Sequence, residues 1–164
     1  MHHLWASWRL AYVSAGDEAT GCVFCDALES AESAPLIVFR GEYAFVILNL
    51  FPYNNAHLMV VPNRHVATLA DATTGELHEL MDLARTAEVA ITEAYAPHGM
   101  NLGINLGKPA GAGVPGHLHL HVVPRWNGDT NFMTVVGQTR VLPEELAQTA
   151  ERLRPIFLRL ESSR

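Results

Sequence analysis

The chain has 164 residues, a formal net charge of −6 and two cysteines. This length suits one domain with its own core, which we place at residues 21–164, after an extension over residues 1–20. The acidic balance argues against non-specific binding of nucleic acid or an anionic membrane, and two cysteines are too few for a secreted disulfide scaffold. With no apolar run near the ~20 residues of a membrane span and no signal-peptide pattern, we expect a cytoplasmic protein.

The extension contains Trp5, Trp8 and Tyr12 and has few charges. Large aromatic side chains of this kind are costly to leave in water. We therefore expect residues 1–20 to pack on the domain or on a partner chain. Residues 14–34 are small and polar apart from a Cys-Val-Phe-Cys unit, and this composition predicts loops.

Three β-rich runs follow, at residues 36–39, 44–49 and 57–62. The first two are separated by Arg-Gly-Glu, and the third follows a segment, residues 51–55, that is rich in turn-forming Pro and Asn. The pattern predicts three strands joined by short connections.

A long helix is predicted over residues 74–95. Thr73 and Glu76 have the spacing of a capping box, and Pro97 and Gly99 are expected to end the helix. Apolar residues recur at helical spacing and predict the buried face, namely Leu77, Leu80, Met81, Ala84, Ala87, Ile91 and Ala94.

Two more strands are predicted at residues 101–106 and 118–124, and a short one at 132–136. A last helix is expected to begin near Pro143 and to be kinked or shortened by Pro155. This order of elements predicts an α+β fold in which an antiparallel meander sheet carries one long helix and a C-terminal helix.

Three histidines alternate with apolar residues at positions 117, 119 and 121. Alternate side chains of a strand share a face, so the pattern predicts three imidazoles on one face, with Leu118 and Leu120 facing the core. Such a group could ligate a metal, or one imidazole could act as a nucleophile that its neighbours orient. A plain polar strand face is the least expected interpretation.

The segment before these histidines contains Gly111, Gly113 and Gly116, with Lys108 nearby. Glycine permits positive φ, and successive backbone N–H groups can then converge on an anion. The loop lacks the Gly-Lys-Ser/Thr unit of a Walker loop. Its position favours a phosphate cradle, and a flexible connection is the alternative.

The run from His117 to Val123 fits the pattern His-φ-His-φ-His-φ-φ, where φ is apolar, and Asn49 precedes His57 by eight residues. Together with Asn105 and the loop after it, these residues resemble the histidine-triad (HIT) family of nucleotide hydrolases and transferases. The chain also resembles a narrower branch of this family, the diadenosine polyphosphate phosphorylases and Fhit-like hydrolases, through Trp5, Arg9, Tyr12 and residues 124–132. The resemblance to the HIT family as a whole covers roughly residues 20–126.

The resemblance implies a role for each matching residue. His119 corresponds to the nucleophile that attacks the α-phosphorus of a dinucleoside polyphosphate, such as diadenosine tetraphosphate, and forms a nucleotidyl-histidine. His121 would contact phosphate oxygens, His57 would orient or donate beside the triad, and His117 completes it. Asn49 would hold the ribose hydroxyls.

Further binding residues follow from the same resemblance. The phosphate path would be lined by Asn105 and by the backbone of Gly111, Ala112, Gly113 and Val114. Arg125 and Trp126 would touch the second half of the substrate. Ala112-Gly113 stands where phosphorylases of this branch carry Gly-Ser, so the choice between hydrolysis and phosphorolysis stays open.

Other functions also stay open at this point. The alternatives are a nucleoside phosphoramidase, a nucleotide-binding module without turnover and a histidine-rich metal enzyme of another fold. The resemblance implies a homodimer with the long helix and an edge strand at its interface. We expect a small-molecule nucleotide substrate, no nucleic-acid or membrane partner, and no organic cofactor.

Cys22 and Cys25 have the spacing of half a zinc site. The resemblance supplies two further ligands, His65 and His117, and so implies a structural zinc ion. A redox Cys-x-x-Cys pair is less expected because no thioredoxin-like βαβ unit surrounds it, and two unligated thiols are the remaining alternative.

Overall fold

The computed structural model describes residues 21–29, 34–129 and 144–163. The predictions for residues 1–20, for a strand at 132–136 and for a helix start at Pro143 therefore lie outside the described residues. Within the described residues, no helix has the length and apolar character that a membrane span requires.

The described residues form an antiparallel sheet with helices, which confirms the α+β fold. The helices are α1 (Val23–Glu29), α2 (Thr74–Tyr95) and α3 (Leu146–Ser162). The strands are β1 (Ile37–Arg40), β2 (Ala44–Leu48), β3 (Leu58–Pro62), β4 (Gly99–Ile104) and β5 (Leu120–Arg125). Short 3-10 turns occupy Ala34–Leu36 and Lys108–Ala110.

The strand order is β1-β2-β3-β5-β4. The first three strands form the predicted meander, whereas β5 lies between β3 and β4, so that β1 and β4 are the two edge strands. In this register Met59 of β3 is paired with His121 of β5. The histidine-bearing strand thus lies inside the sheet, next to the strand that follows His57.

Both faces of the central strands are buried. One set of alternate residues, including Val46, Leu58 and Leu120, packs into a core with α2 and α3. The other set includes Phe45 and Met59 and packs with apolar residues of α1. Burial on both faces explains why β2 and β3 are continuous apolar runs in the sequence.

The predicted capping box opens α2. The Thr73 side chain accepts from the backbone N–H of Glu76, and the Glu76 carboxylate accepts from the backbone N–H of Thr73. The buried stripe is shifted from the predicted one: Met81 is 56% exposed, while Leu83 and Ala90 are buried. The buried side of α2 is the side that faces β2, β3 and β5, and Met81, although apolar, does not lie on it.

Several elements differ from expectation: β4 begins at Gly99 rather than at residue 101, and β5 begins at Leu120 rather than at residue 118. The prediction of loops over residues 14–34 is wrong at α1, a helix of seven residues that buries Phe24 and Ala27 against the sheet. A helix of two turns has too few positions to show a period in the sequence. Helix α3 begins at Leu146 and continues through Pro155 to Ser162, held by Leu153 and Phe157 in the core.

Candidate active site and metal centre

His119 lies just before β5 and is buried. Its Nδ1 is 2.8 Å from the carbonyl oxygen of His117, and because a carbonyl only accepts, Nδ1 must carry the proton. In the neutral ring the Nε2 atom then has a free lone pair. Burial lowers the pKa of His119, which keeps the ring neutral and makes Nε2 available as a nucleophile.

His57 and His121 form a hydrogen-bonded pair, with 3.0 Å between His57 Nε2 and His121 Nδ1. The backbone N–H of Tyr53 donates to His57 Nδ1 over 3.1 Å, so a neutral His57 carries its proton on Nε2 and donates it to His121. His121 must then carry its own proton on Nε2. Burial, and next the repulsion that a protonated His121 would feel from a protonated His119, lower the pKa of His121 to about 4.

The rings of His119 and His121 meet edge to face, with 4.9 Å between their centroids. One ring therefore offers a lone pair and its neighbour offers an N–H donor within a single small site. This combination suits attack on a phosphorus atom whose oxygens gain charge during the reaction.

A second group of side chains includes the ring of His117 and is a candidate metal centre. The donor atoms of Cys22, Cys25, His65 and His117 all lie within 4.8 Å of one another. His117 Nδ1 is 3.2 Å from the sulfur of Cys22, and His65 Nδ1 is 3.4 Å from the sulfur of Cys25. Two sulfur and two nitrogen donors at this spacing fit a tetrahedral zinc ion.

The carbonyl oxygen of Pro62 accepts from His117 Nε2 over 2.9 Å. This bond fixes the proton of His117 on Nε2 and leaves Nδ1 facing the two sulfurs. An imidazole held by a backbone carbonyl in this way is a typical metal ligand. The fit of these residues to a metal therefore includes the orientation of the ring as well as the donor set.

Phe24 joins the two groups, since its ring contacts the rings of His117 and His119 at centroid distances of 5.4 and 5.2 Å. Helix α1 thus supplies, through the buried Phe24, one wall of the His119 site, and it also carries Cys25. Burial, followed by the neighbouring Cys22, raises the pKa of the Cys25 thiol to about 11. A pair of thiols this close needs a cation nearby before both can ionise.

Asn49 is buried at the end of β2, and its Oδ1 accepts from the backbone N–H of Phe51 over 2.9 Å. Asn105 is 3.5 Å from the carbonyl oxygen of Gly111, which links it to the glycine-rich loop. In that loop the positive φ values fall at Gly107 and Gly111 and not at Gly113 or Gly116. The turn that requires glycine therefore occupies the first half of the loop.

Arg125 is bound within the protein. Its guanidinium makes two bonds to Asp129, at 2.6 and 2.9 Å, and one to Asn101 at 2.9 Å. Trp126 is half-buried, and its backbone N–H is 3.3 Å from the Asp129 carboxylate. These residues lie at the end of β5, as the sequence order requires.

The turn before His57 supplies two contacts that sequence reasoning missed. The Tyr53 ring lies 4.8 Å from the His57 ring between centroids, and Asn54 reaches the carbonyl oxygen of Pro124 and the Asp129 carboxylate. The only signal in the sequence is an aromatic and an amide residue close to a histidine, in a segment whose composition already predicts a turn.

Residues 30–128 match the family described as HIT domain. The chain is 38% identical over 161 residues to the AP-4-A phosphorylase of Mycobacterium tuberculosis, covering 93% of this chain and 83% of that protein. It is 33% identical over 93 residues to the asymmetrical bis(5'-nucleosyl)-tetraphosphatase of Schizosaccharomyces pombe, covering 57% of this chain and 50% of that protein.

A crystal structure of a Zn-bound histidine triad family protein from Mycobacterium smegmatis has a TM-score of 0.70 and 29% identity, covering 88% of this chain and 98% of that one. Two of these relatives are enzymes by name, which confirms the prediction of a histidine-triad enzyme. The family match spans more than half of the sequence and includes His57 and the whole triad. The chain therefore belongs to the HIT domain family.

Proposed function

We propose that this chain cleaves dinucleoside polyphosphates at the α-phosphate and that His119 is the nucleophile. The names of the two enzyme relatives support the substrate class. The observation that carries the assignment is the bond from His119 Nδ1 to the carbonyl oxygen of His117, which leaves Nε2 as a buried, unprotonated nitrogen.

In the first step His119 Nε2 attacks the α-phosphorus. A P–N bond forms, the bridging P–O bond breaks, and the remaining nucleoside polyphosphate leaves with the bonding electron pair. His121 Nε2–H lies beside the attacking ring and donates to a phosphoryl oxygen or to the leaving oxygen. His57 holds His121 in the tautomer that has this proton to give.

In the second step an oxygen of water or inorganic phosphate attacks the phosphorus of the nucleotidyl-histidine. A P–O bond forms and the P–N bond breaks, so that His119 leaves as a neutral imidazole with the bonding electron pair, and a proton of the attacking group passes to solvent. Water gives a nucleoside monophosphate, and phosphate gives a nucleoside diphosphate. Asn49 would hold the ribose, and Asn105 with the backbone of residues 111–114 would line the phosphate path. Arg125 and Trp126, at the end of β5, would touch the second half of the substrate.

Product analysis tests this proposal. Diadenosine tetraphosphate is incubated with the purified chain in phosphate-free buffer and again with inorganic phosphate, and the adenine nucleotides are separated. ATP with AMP indicates hydrolysis, and ATP with ADP that appears only with phosphate indicates phosphorolysis. The absence of any product under both conditions contradicts the proposal.

We also propose that Cys22, Cys25, His65 and His117 hold a structural zinc ion. Four protein donors would leave no open position, which is typical of a zinc ion that supports folding rather than catalysis. Bound zinc would supply the positive charge that stabilises two neighbouring thiolates. Since thiolate ligands need a reducing environment, the proposal includes a cytoplasmic location.

A homodimer is the proposed assembly. Strand β4 lies at the edge of the sheet and, among the residues described, is paired with β5 alone. Leu102 on that strand is exposed, as are Met81 and Val89 on α2. Edge strands and exposed apolar side chains favour association with a second copy. Light scattering at several concentrations tests this, and a monomer mass throughout contradicts it.

A further inference from the structure

Two histidines of the site depend on each other for their tautomers. A neutral imidazole can carry its proton on either nitrogen, and the hydrogen bonds around it decide which. Here the backbone N–H of Tyr53 fixes the tautomer of His57, because it donates to His57 Nδ1 over 3.1 Å. The proton of His57 then lies on Nε2 and is donated to His121 Nδ1 over 3.0 Å.

The donor at Tyr53 belongs to the turn between β2 and β3, whereas His121 belongs to β5. The two must therefore be held at a fixed separation, or the pair loses its orientation. Asn54, the residue after Tyr53, spans this gap. Its Nδ2 donates to the carbonyl oxygen of Pro124, three residues after His121 on β5, over 2.9 Å.

The same amide nitrogen donates to the Asp129 carboxylate over 2.8 Å. Asp129 is itself fixed, because Arg125 donates to both of its oxygens and the side chain is 12% exposed. The Arg125 guanidinium also holds the pKa of this carboxyl well below its usual range, so it remains an acceptor. Both protons of the Asn54 amide thus reach acceptors that are anchored to β5.

We infer that Asn54 is a positioning residue that, by fastening the Tyr53 turn to the end of β5, sets the tautomers of His57 and His121. Its side chain contacts Pro124 and Asp129 rather than the imidazoles, so it acts through the position of the Tyr53 N–H. The inference rests on the proposed function for its kinetic consequence, since His121 is the N–H donor of that reaction.

The matched pair of variants is Asn54→Ala and Asn55→Ala. Both remove an amide from the same turn, but Asn55 contacts Thr149 of α3 instead of β5. For Asn54→Ala we expect kcat on diadenosine tetraphosphate to fall by about 10- to 100-fold, with KM changed by less than about threefold. For Asn55→Ala we expect both parameters to stay within about twofold of the parent chain.

Heteronuclear NMR of the ring nitrogens supplies a readout that needs no substrate. In the parent chain His57 and His121 should each show a single neutral tautomer with the proton on Nε2. In Asn54→Ala the two tautomers should mix, and in Asn55→Ala they should not. If Asn54→Ala fails to fold, Asn54→Leu takes its place, because it keeps the branched shape of the side chain and removes both N–H donors.

Unchanged tautomers in a folded Asn54 variant overturn the inference, even if stability falls. Mixed tautomers in the Asn55 variant overturn it as well. If no dinucleoside polyphosphate is cleaved by the parent chain, the proposed function fails by itself, and the NMR comparison still decides the role of Asn54. The two failures are therefore distinguishable.

Discussion

His119 donates a hydrogen bond from Nδ1 to the backbone carbonyl of His117, 2.8 Å away, while the His117 ring faces two cysteines. Residue 117 thus serves two groups at once: its ring belongs to the candidate metal centre, and its carbonyl orients the candidate nucleophile. The three histidines of the motif therefore have different partners in the fold, although they share one pattern in the sequence.

Replacing His119 by Ala removes the proposed nucleophile. We expect turnover of diadenosine tetraphosphate to fall by about a thousandfold or more, since the nitrogen that forms the P–N bond is lost. His78→Ala is the control, because His78 is exposed on α2. Steady-state kinetics and circular dichroism are measured on both variants, and unchanged turnover in folded His119→Ala contradicts the assignment.

Replacing His65 by Ala removes one donor of the candidate metal centre and leaves the His119 site in place. We expect the parent chain to carry zinc and the variant to lose it on dialysis, with Tm lower by roughly 5 °C or more because binding energy contributes to folding. Elemental analysis and thermal unfolding, each with and without a chelator, check this. A parent chain that purifies without zinc and ignores added zinc contradicts the proposal.

Glu76 makes stability depend on acid pH. Its carboxylate accepts from Arg64 at 2.9 and 2.8 Å and from the backbone N–H of Thr73 at 2.7 Å, and the Arg64 bond is the main cause that lowers its pKa from 4.5 to about 2. The folded pKa is below the unfolded one, so this stabilisation is complete above about pH 4.5 and disappears as the pH falls towards 2.

The variant Glu76→Gln should therefore lose about 2–3 kcal/mol of unfolding free energy at pH 7, and the difference from the parent chain should shrink below pH 4. Glu88→Gln, at an exposed position of the same helix, is the control. Denaturant unfolding at several pH values measures both. A difference that stays constant across this range refutes the linkage.

Gly111 has φ of +96°, which costs an L-residue about 1–2 kcal/mol. Gly111→Ala should therefore shift the carbonyl that Asn105 contacts and raise KM for the dinucleotide more than it changes kcat. Gly103→Ala is the matched control, because a Cβ there has no atom within 4 Å. Equal KM values for the two variants would show that the loop does not line the phosphate path.

Local pattern predicted much of the fold. The capping box at Thr73, the helix that ends at Tyr95 and strands β2 and β3 are encoded by neighbours within a few residues, so their periods and caps are visible in the sequence. The short helix α1 was missed, and Met81 was placed in the core although it is exposed. The formation of α1 and the exposure of Met81 both depend on which surface the rest of the chain places against these residues.

The sequence by itself determined the chemistry that is available: three alternating histidines, a fourth after Asn49, two cysteines and a glycine-rich loop. The tertiary structure decided which of them meet. Because β5 lies between β3 and β4, His121 reaches His57. The segment that precedes β5 places His117 beside Cys22 and α1. Strand order follows from burying both faces of the central strands, a long-range requirement that no local period expresses.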